Sequence, residues 1–232
     1  MDALASTKKK REVDMLGSSQ DWSSIRRSAF ELVVGFVLCI FVVALLFYEI
    51  VIMESTCGER SSVEMIQFLL LLSSSLTFFN LAVSRADLSG GLFLIGAFVL
   101  CMAIRELDWI TDRIPYLSWA HLVTLVLIAA LWIAYRNKET VVHGLAVFSE
   151  SRASVWMIIG LLCVLVFSRL FGSKHIWYNL WDADRVRVLK NVVEEGLELF
   201  GYALMMTASI LFRNESRRTL RIQSTARPTS KK

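Results

Sequence analysis

The amino-acid sequence predicts an all-α fold, a polytopic membrane helical bundle of six transmembrane helices with the N and C termini in the cytoplasm. Hydrophobic residues make up 55% of the 232 residues and charged residues only 20%. That composition leaves too little polar surface for a soluble domain of this length. The apolar residues also gather in runs near the length of about 20 residues that crosses a bilayer. Basic residues favour one side of the resulting topology.

Six apolar runs are predicted to span the membrane, and they cover residues 30–53, 63–83, 92–108, 118–135, 154–171 and 191–212. Helices are expected because backbone groups in lipid must pair within their own segment. The first run is too long for the core of a cleaved signal peptide, so it is expected to stay as an anchor. The organisation is then a disordered cytoplasmic tail (1–27), a transmembrane domain (28–213) and a basic cytoplasmic tail (214–232).

The orientation follows from the basic residues. With the N-terminus inside and alternating spans, 17 of the 25 lysine and arginine residues lie on the inner side. This distribution agrees with the positive-inside rule and predicts a multi-pass protein of the cell inner (plasma) membrane. The net charge of +4 therefore reflects topology, and no nucleic-acid partner is expected. The expected partners are the lipid bilayer and other membrane subunits.

Ionisable and polar residues cluster near the predicted outer ends of four spans. A charged side chain in a span costs about 2.5–3.5 kcal/mol on insertion scales, so those that persist usually have partners. The candidates for one shared outer pocket are Glu64, Gln67, Arg105, Glu106, Asp108, His121, Glu194, Glu195 and Glu198.

The sharpest signal is the group Glu194, Glu195 and Glu198 at the start of the last span. Three carboxylates within two helical turns repel one another unless a cation or a basic residue such as Arg105 is near. Arg105 is also expected to pair with Asp108, three residues along the same helix face. A plain helix start, at which the macrodipole favours acidic residues, explains one or two of the glutamates but explains Glu198 poorly.

Carboxylates with a histidine also suggest a divalent metal as a cofactor, with Glu194, Glu198, His121 and Asp108 as its candidate ligands. His175, in the last outer loop, is a weaker candidate. The sequence contains no HExxH, GxSxG, P-loop or Rossmann signature, so catalytic residues stay unassigned and an enzymatic role stays open. The four cysteines show no paired spacing and are read as small apolar packing residues.

Residues 190–202, which contain the VEExxE pattern, and residues 105–109, which contain RExD, carry a family resemblance. The chain resembles uncharacterised multi-span bacterial inner-membrane proteins. The resemblance implies a membrane location and a helical bundle, and it carries no known reaction. The paired-histidine motif of alkaline-ceramidase-type intramembrane hydrolases is missing from the last span, so that assignment is not made.

Three functions remain open on the sequence. The acidic pocket suits a ligand- or ion-binding, transport or membrane-complex subunit. It also suits a metal-dependent intramembrane hydrolase that acts on a lipid or envelope substrate. In the third interpretation the polar residues only hold helices together in a structural membrane subunit.

Overall fold

The computed structural model describes residues 2–53, 61–111, 113–114, 118–173, 177 and 183–226. Their regular structure is all helical. The helices are α1 (Asp2–Phe47), α2 (Ser62–Ser84), α3 (Ser89–Arg105), α4 (Asp108–Thr111), α5 (Trp119–Arg136), α6 (Lys138–Glu150), α7 (Arg152–Leu162), α8 (Arg169–Phe171) and α9 (Ala183–Ala226). Two π-helical segments continue α1 (Tyr48–Ile52) and join α7 to α8 (Cys163–Ser168). The chain divides into two compact units, residues 1–41 and 42–232.

Five of the described helical segments are long and apolar enough to cross a membrane: Asp21–Ile52, Ser62–Ser84, Trp119–Arg136, Arg152–Phe171 and Val186–Leu220. The sixth predicted span corresponds to α3, an apolar helix of 17 residues. Such a helix is about 26 Å long, slightly less than the hydrocarbon thickness. The all-helical, apolar architecture expected of a multi-pass membrane protein is therefore present.

The two predicted tails adopt helix where the structure describes them. Helix α1 begins at Asp2, in the stretch expected to be disordered, and α9 continues to Ala226, well into the predicted basic tail. Both stretches lack proline within the helical residues and contain many strong helix formers such as alanine, lysine, arginine and glutamate. Local propensity therefore extends the helices beyond the apolar runs that marked the spans.

The core of the second unit lies between α2, α3, α6, α7 and α9. Three phenylalanines form its aromatic centre: Phe78 and Phe148 meet edge to face at 5.6 Å between ring centroids, as do Phe148 and Phe212 at 5.2 Å. Phe78 also stacks on Phe212 at 6.3 Å. Such offset and edge-to-face pairs add to the contribution of apolar burial, and they tie the end of α2 to α6 and α9.

Glycines allow α7 and α9 to cross closely. A Cβ placed on Gly160 would lie 2.6 Å from the carbonyl oxygen of Gly201, and one on Gly201 would lie 2.7 Å from that of Gly160. Any larger residue at either position must push the helices apart. Small residues at such crossings are typical of helix packing in membranes, where close backbone approach provides much of the attraction.

The linker predicted at 136–153 contains a helix, α6, that the sequence reading did not resolve. Helix α6 packs against α3 through Gly144, where an added Cβ would lie 2.6 Å from the carbonyl oxygen of Leu88. Thr140 Oγ1 accepts a hydrogen bond of 2.9 Å from the backbone N–H of Gly90 and so joins the two helices. At 13 residues, α6 is shorter than a span, which is why an apolar-run criterion overlooks it.

Candidate functional site

Polar side chains meet where α2 begins, α3 ends and the α7–α8 segment ends, beside residues 190–202 in the first half of α9. Ser61 caps α2 by accepting a 3.2 Å hydrogen bond from the backbone N–H of Glu64, which fixes the first turn of that helix. The π-helical segment Cys163–Ser168 directly precedes Arg169. Four separate elements thus bring charged groups to one end of the second unit.

Arg105, Glu106 and Tyr202 form the first part of this site. The Arg105 Nη2 donates to Glu106 Oε1 at 2.7 Å and to Tyr202 Oη at 3.3 Å. The fully buried Tyr202 hydroxyl in turn donates to the same Glu106 oxygen at 2.6 Å. Arg105 therefore pairs with its neighbour Glu106 in place of Asp108, the partner expected from helix spacing.

Glu198 is the centre of the site. It is only 4% exposed, and its Oε1 accepts from Ser168 Oγ at 2.7 Å and from Arg169 Nη2 at 2.9 Å. Arg105 Nη2 reaches the same oxygen at 3.5 Å. One buried carboxylate thus connects α3, the end of the α7–α8 segment and α9, and its charge is matched by two guanidinium groups.

Glu194 lies one helical turn before Glu198 and is held by two further contacts. Arg169 Nη1 donates to Glu194 Oε1 at 3.3 Å, and Lys190 Nζ donates to Glu194 Oε2 at 2.8 Å. We call the linked side chains the polar network, which consists of Arg105, Glu106, Ser168, Arg169, Lys190, Glu194, Glu198 and Tyr202. Its three carboxylates are balanced by its two arginines and one lysine.

Glu195 lies beside the polar network with a different kind of partner. Gln67 Nε2 donates to Glu195 Oε2 at 3.0 Å and to the Glu195 backbone oxygen at 3.2 Å. The Gln67 side chain is completely buried, and its Oε1 has no hydrogen-bond partner among the described residues. Reversing the amide would place Oε1 against two acceptor oxygens, so the bonds fix its orientation. The pair therefore offers an acceptor without a partner, beside a carboxylate that receives an amide N–H and, among the described residues, no basic side chain.

The structure brings together six of the predicted pocket residues, namely Gln67, Arg105, Glu106, Glu194, Glu195 and Glu198. Glu64, on the first turn of α2, lies near enough to interact electrostatically with Glu195. Asp108 is exposed at the start of α4, where its carbonyl accepts from Thr111 Oγ1. His121 is exposed at the start of α5, where its Nδ1 accepts from the Ser118 backbone N–H at 3.2 Å in a capping box.

The proposed metal ligands are not gathered in the part of the chain that the structure describes, where no three histidine, cysteine or acidic residues are placed to hold an ion. Glu194 and Glu198 instead bind arginine and lysine, His121 is engaged in the cap of α5, and Asp108 is exposed at the start of α4. A metal at the two glutamates has to displace those cations. His175 lies outside the described residues.

Four members of the polar network, Ser168, Arg169, Lys190 and Tyr202, were not predicted as site residues from the sequence. Arg169 carried a usable signal, because a charged residue close to the end of an apolar run shares the depth of the other outer-end charges. Glu49 carried the same signal. It is 3% exposed in the π-helical segment that follows α1, and its Oε2 has no partner among the described residues.

Comparison with known proteins adds no assignment: no protein-family model, no curated protein and no solved structure matches this chain. The functional argument therefore rests on the chemistry of the site.

Proposed function

We propose that this chain is a multi-pass inner-membrane protein that binds a small cation, a proton or a monovalent metal ion, between Gln67 and Glu195. It would act in this way as an ion-binding subunit for transport or for a larger membrane complex. The observation that carries the proposal is the buried, unpartnered Gln67 Oε1 next to a carboxylate that has no basic partner among the described residues. Buried polar groups normally find partners, so this acceptor points to a ligand.

The contrast with the neighbouring carboxylates supports the proposal. Glu106, Glu194 and Glu198 each contact an arginine or a lysine, so their charge is already balanced. Glu195 adds a further negative charge in the same region, and the amide of Gln67 neutralises none of it. A proton on Glu195 supplies the missing positive charge, and an ion held by Glu195 and Gln67 Oε1 together supplies both that charge and the missing partner.

The test uses purified full-length protein in lipid nanodiscs and follows carboxyl groups by infrared difference spectroscopy during pH titration. We expect a titrating buried carboxyl signal in the wild type that Glu195→Gln abolishes and that Gln67→Leu shifts. The control is Glu150→Gln, which changes an exposed glutamate at the end of α6 and leaves the signal intact.

Addition of Na⁺ or K⁺ to the same samples separates the two cations. A metal ion that binds at the pair lowers the protonated carboxyl signal at constant pH, whereas a site for protons alone does not respond. A wild-type spectrum without a Glu195-dependent signal, together with no measurable Na⁺ or K⁺ binding, contradicts the proposal.

A structural role is the second candidate, and the balanced polar network favours it. Its bonds join the end of α3, the α7–α8 segment and α9 and leave each carboxylate with a basic partner, as expected of a network that holds helices together. The two roles differ in Glu195→Gln: loss of ion binding with unchanged stability supports the ion-binding role, and loss of stability without any ion binding supports the structural one. For the hydrolase alternative, metal analysis of the purified protein, Glu198→Gln and His121→Ala is the matching test.

The proposal includes six spans with both termini in the cytoplasm. It takes α3 as the sixth span and the basic-residue bias as the guide to orientation. Reporter fusions after Tyr135 and Phe212 are expected to report the cytoplasm, and a fusion at residue 174 the outside. A cytoplasmic signal at residue 174 overturns the orientation and the outward position of the ion site.

A further inference from the structure

A polar cavity lies at the end of α2 opposite to the Gln67–Glu195 pair, between the last turns of α2 and the later part of α9. Its volume is about 420 Å³. The lining comes from one face of each helix, with Thr77, Asn80, Leu81, Ser84 and Arg85 on one side and Arg213, Ser216, Arg217 and Leu220 on the other. Three of these residues are arginines, and none is acidic.

The arginines of this cavity differ in how they are held. Arg85 donates to Asp87 through Nε at 2.9 Å and through Nη2 at 2.7 Å, which fixes the guanidinium and leaves Nη1 available. Arg213 and Arg217 are exposed, and neither has an ion-pair partner in the described part of the chain. Asp87 balances the charge of Arg85, and no carboxylate of the described residues forms an ion pair with Arg213 or Arg217, so the cavity keeps a net positive charge.

Further hydrogen-bond donors face the same space. Asn80 uses one N–H of its amide on the Leu76 carbonyl at 2.9 Å, so its second N–H is available. Ser216 is 5% exposed and lines the cavity from α9. Helix α2 ends here with its carbonyl groups, which repel anions, so the attraction for an anion has to come from these side chains. Forked guanidinium groups match the oxygens of a phosphate.

The surroundings suit a lipid. Leu76 and Val83 on α2 and Ile210 on α9 are exposed apolar residues in the same turns as the lining residues, and Val83 is 87% exposed. Arg85 directly follows the apolar stretch Ser62–Ser84 and so marks the place where a span leaves the hydrocarbon. The apolar residues lie on the hydrocarbon side of the cavity and the arginines at its polar end, which is the order of acyl chains and phosphate in a phospholipid.

We propose that this cavity, which we call the arginine pocket, binds a phosphate group of an anionic phospholipid headgroup or of free phosphate. Arg213 and Arg217 bind the phosphate oxygens, Arg85 contributes from its fixed position, and Asn80 and Ser216 donate hydrogen bonds. The site is independent of the Gln67–Glu195 pair, because it involves the other end of α2 and no shared residue.

The test is native mass spectrometry of the full-length protein released from detergent with added lipid. Phosphatidylglycerol is the anionic probe, phosphatidylcholine the zwitterionic control and inorganic phosphate the lipid-free probe. We expect saturable retention of one phosphatidylglycerol, weakened on the order of tenfold or more in the double variant Arg213→Gln/Arg217→Gln because two charge-assisted contacts are lost. Arg218→Gln, an equal change of charge per residue at an exposed position outside the pocket, keeps wild-type retention.

Each outcome decides the proposal. Retention of phosphatidylglycerol that depends on Arg213 and Arg217 assigns the pocket to a lipid headgroup. Retention of inorganic phosphate without retention of phosphatidylglycerol, and with the same dependence, assigns the pocket to free phosphate. Equal retention by the wild type and the double variant overturns the proposal. Arg218→Gln overturns it as well if it loses as much retention as the double variant, because that result indicates unspecific charge attraction. Circular dichroism of each variant checks that the helices are intact.

Discussion

The two polar regions at opposite ends of α2 differ in whether their arginines are paired with carboxylates. In the polar network, Arg105 and Arg169 lie against glutamates of α3 and α9, and Glu198 between them is almost fully buried. In the arginine pocket, Arg213 and Arg217 are exposed and lack a carboxylate partner in the described structure. The same side chain is an internal connection at one end and an open binding group at the other.

This difference teaches how to separate structural from ligand-binding charge. A buried carboxylate that loses its cation leaves an uncompensated charge, so the polar network should respond to substitution by losing stability. An exposed guanidinium without a partner contributes little to folding, so its substitution should change binding and leave stability alone. Four predictions test this contrast, from the largest expected effect to the smallest.

Glu198→Ala is expected to have the largest effect, a loss of about 3 kcal/mol in the free energy of unfolding. It removes the oxygen that accepts from Ser168 and Arg169 and that Arg105 approaches. Thermal or denaturant unfolding of the purified protein in detergent measures the loss. Glu150→Ala, at an exposed glutamate, is the control and should unfold like the wild type; equal behaviour of both variants contradicts the role of Glu198.

Tyr202→Phe is expected to cost about 1–2 kcal/mol in the free energy of unfolding, because the Tyr202 hydroxyl donates to a buried Glu106 oxygen that then loses this bond. The same unfolding measurement applies. Tyr135→Phe is the matched control, since Tyr135 is 77% exposed on α5. Equal stability of Tyr202→Phe and the wild type would show that the hydroxyl adds nothing to the network.

Asp87 is expected to make a small, pH-dependent contribution near the arginine pocket. The hydrogen bond from Arg85 lowers the pKa of the Asp87 carboxyl, and this effect outweighs the partial burial that raises it. The stabilisation is thus present above the unfolded pKa of about 4 and is lost as the pH falls through the lower folded pKa. Since the Asp87 side chain is 52% exposed, at most about 1 kcal/mol is involved.

Unfolding of the wild type and of Asp87→Asn across the acidic pH range measures this contribution. The two curves should differ at neutral pH and converge at the acid end. A constant difference at all pH values would remove the ionised carboxyl as its cause.

Arg213→Gln/Arg217→Gln is expected to change the free energy of unfolding least, by no more than about 0.5 kcal/mol in lipid-free detergent. The comparison with Glu198→Ala under the same conditions is the measurement. A loss as large as that of Glu198→Ala would show that these arginines hold the helices together and would remove the contrast between the two ends.

Much of the helical architecture was predictable because its signals are local. Apolar runs located α2, α5 and the segment Arg152–Phe171 to within two residues, and the clustering of polar residues at one end of the predicted spans pointed to Glu198. Helix α6 was overlooked because its apolar face is set by packing on α3 rather than by an apolar run.

The partners within the site were harder to predict. Helix spacing favoured Asp108 for Arg105, yet the chosen partners Glu106 and Glu198 depend on how α3 meets α9. His121 was predicted as a metal ligand, but in the structure it forms a capping box with Ser118 at the start of α5. That role depends on the backbone geometry of the helix end. The arginine pocket could not be predicted from the sequence, because Arg85 and Arg213 are far apart in the chain and served only as inner-side charges for the orientation.

The π-helical segment Cys163–Ser168 has a consequence for how this protein tolerates insertions and deletions. A π turn accommodates one residue more than an α turn, so it sets the rotation of everything that follows. Deletion of one residue there lets the segment return to α geometry, and because five α-helical residues turn about as far as six π-helical ones, Arg169 keeps its orientation towards Glu194 and Glu198. The π segment is therefore the place where this helix tolerates the loss of one residue, whereas a deletion that leaves the π turn intact rotates Arg169 by about 100° away from Glu194 and Glu198.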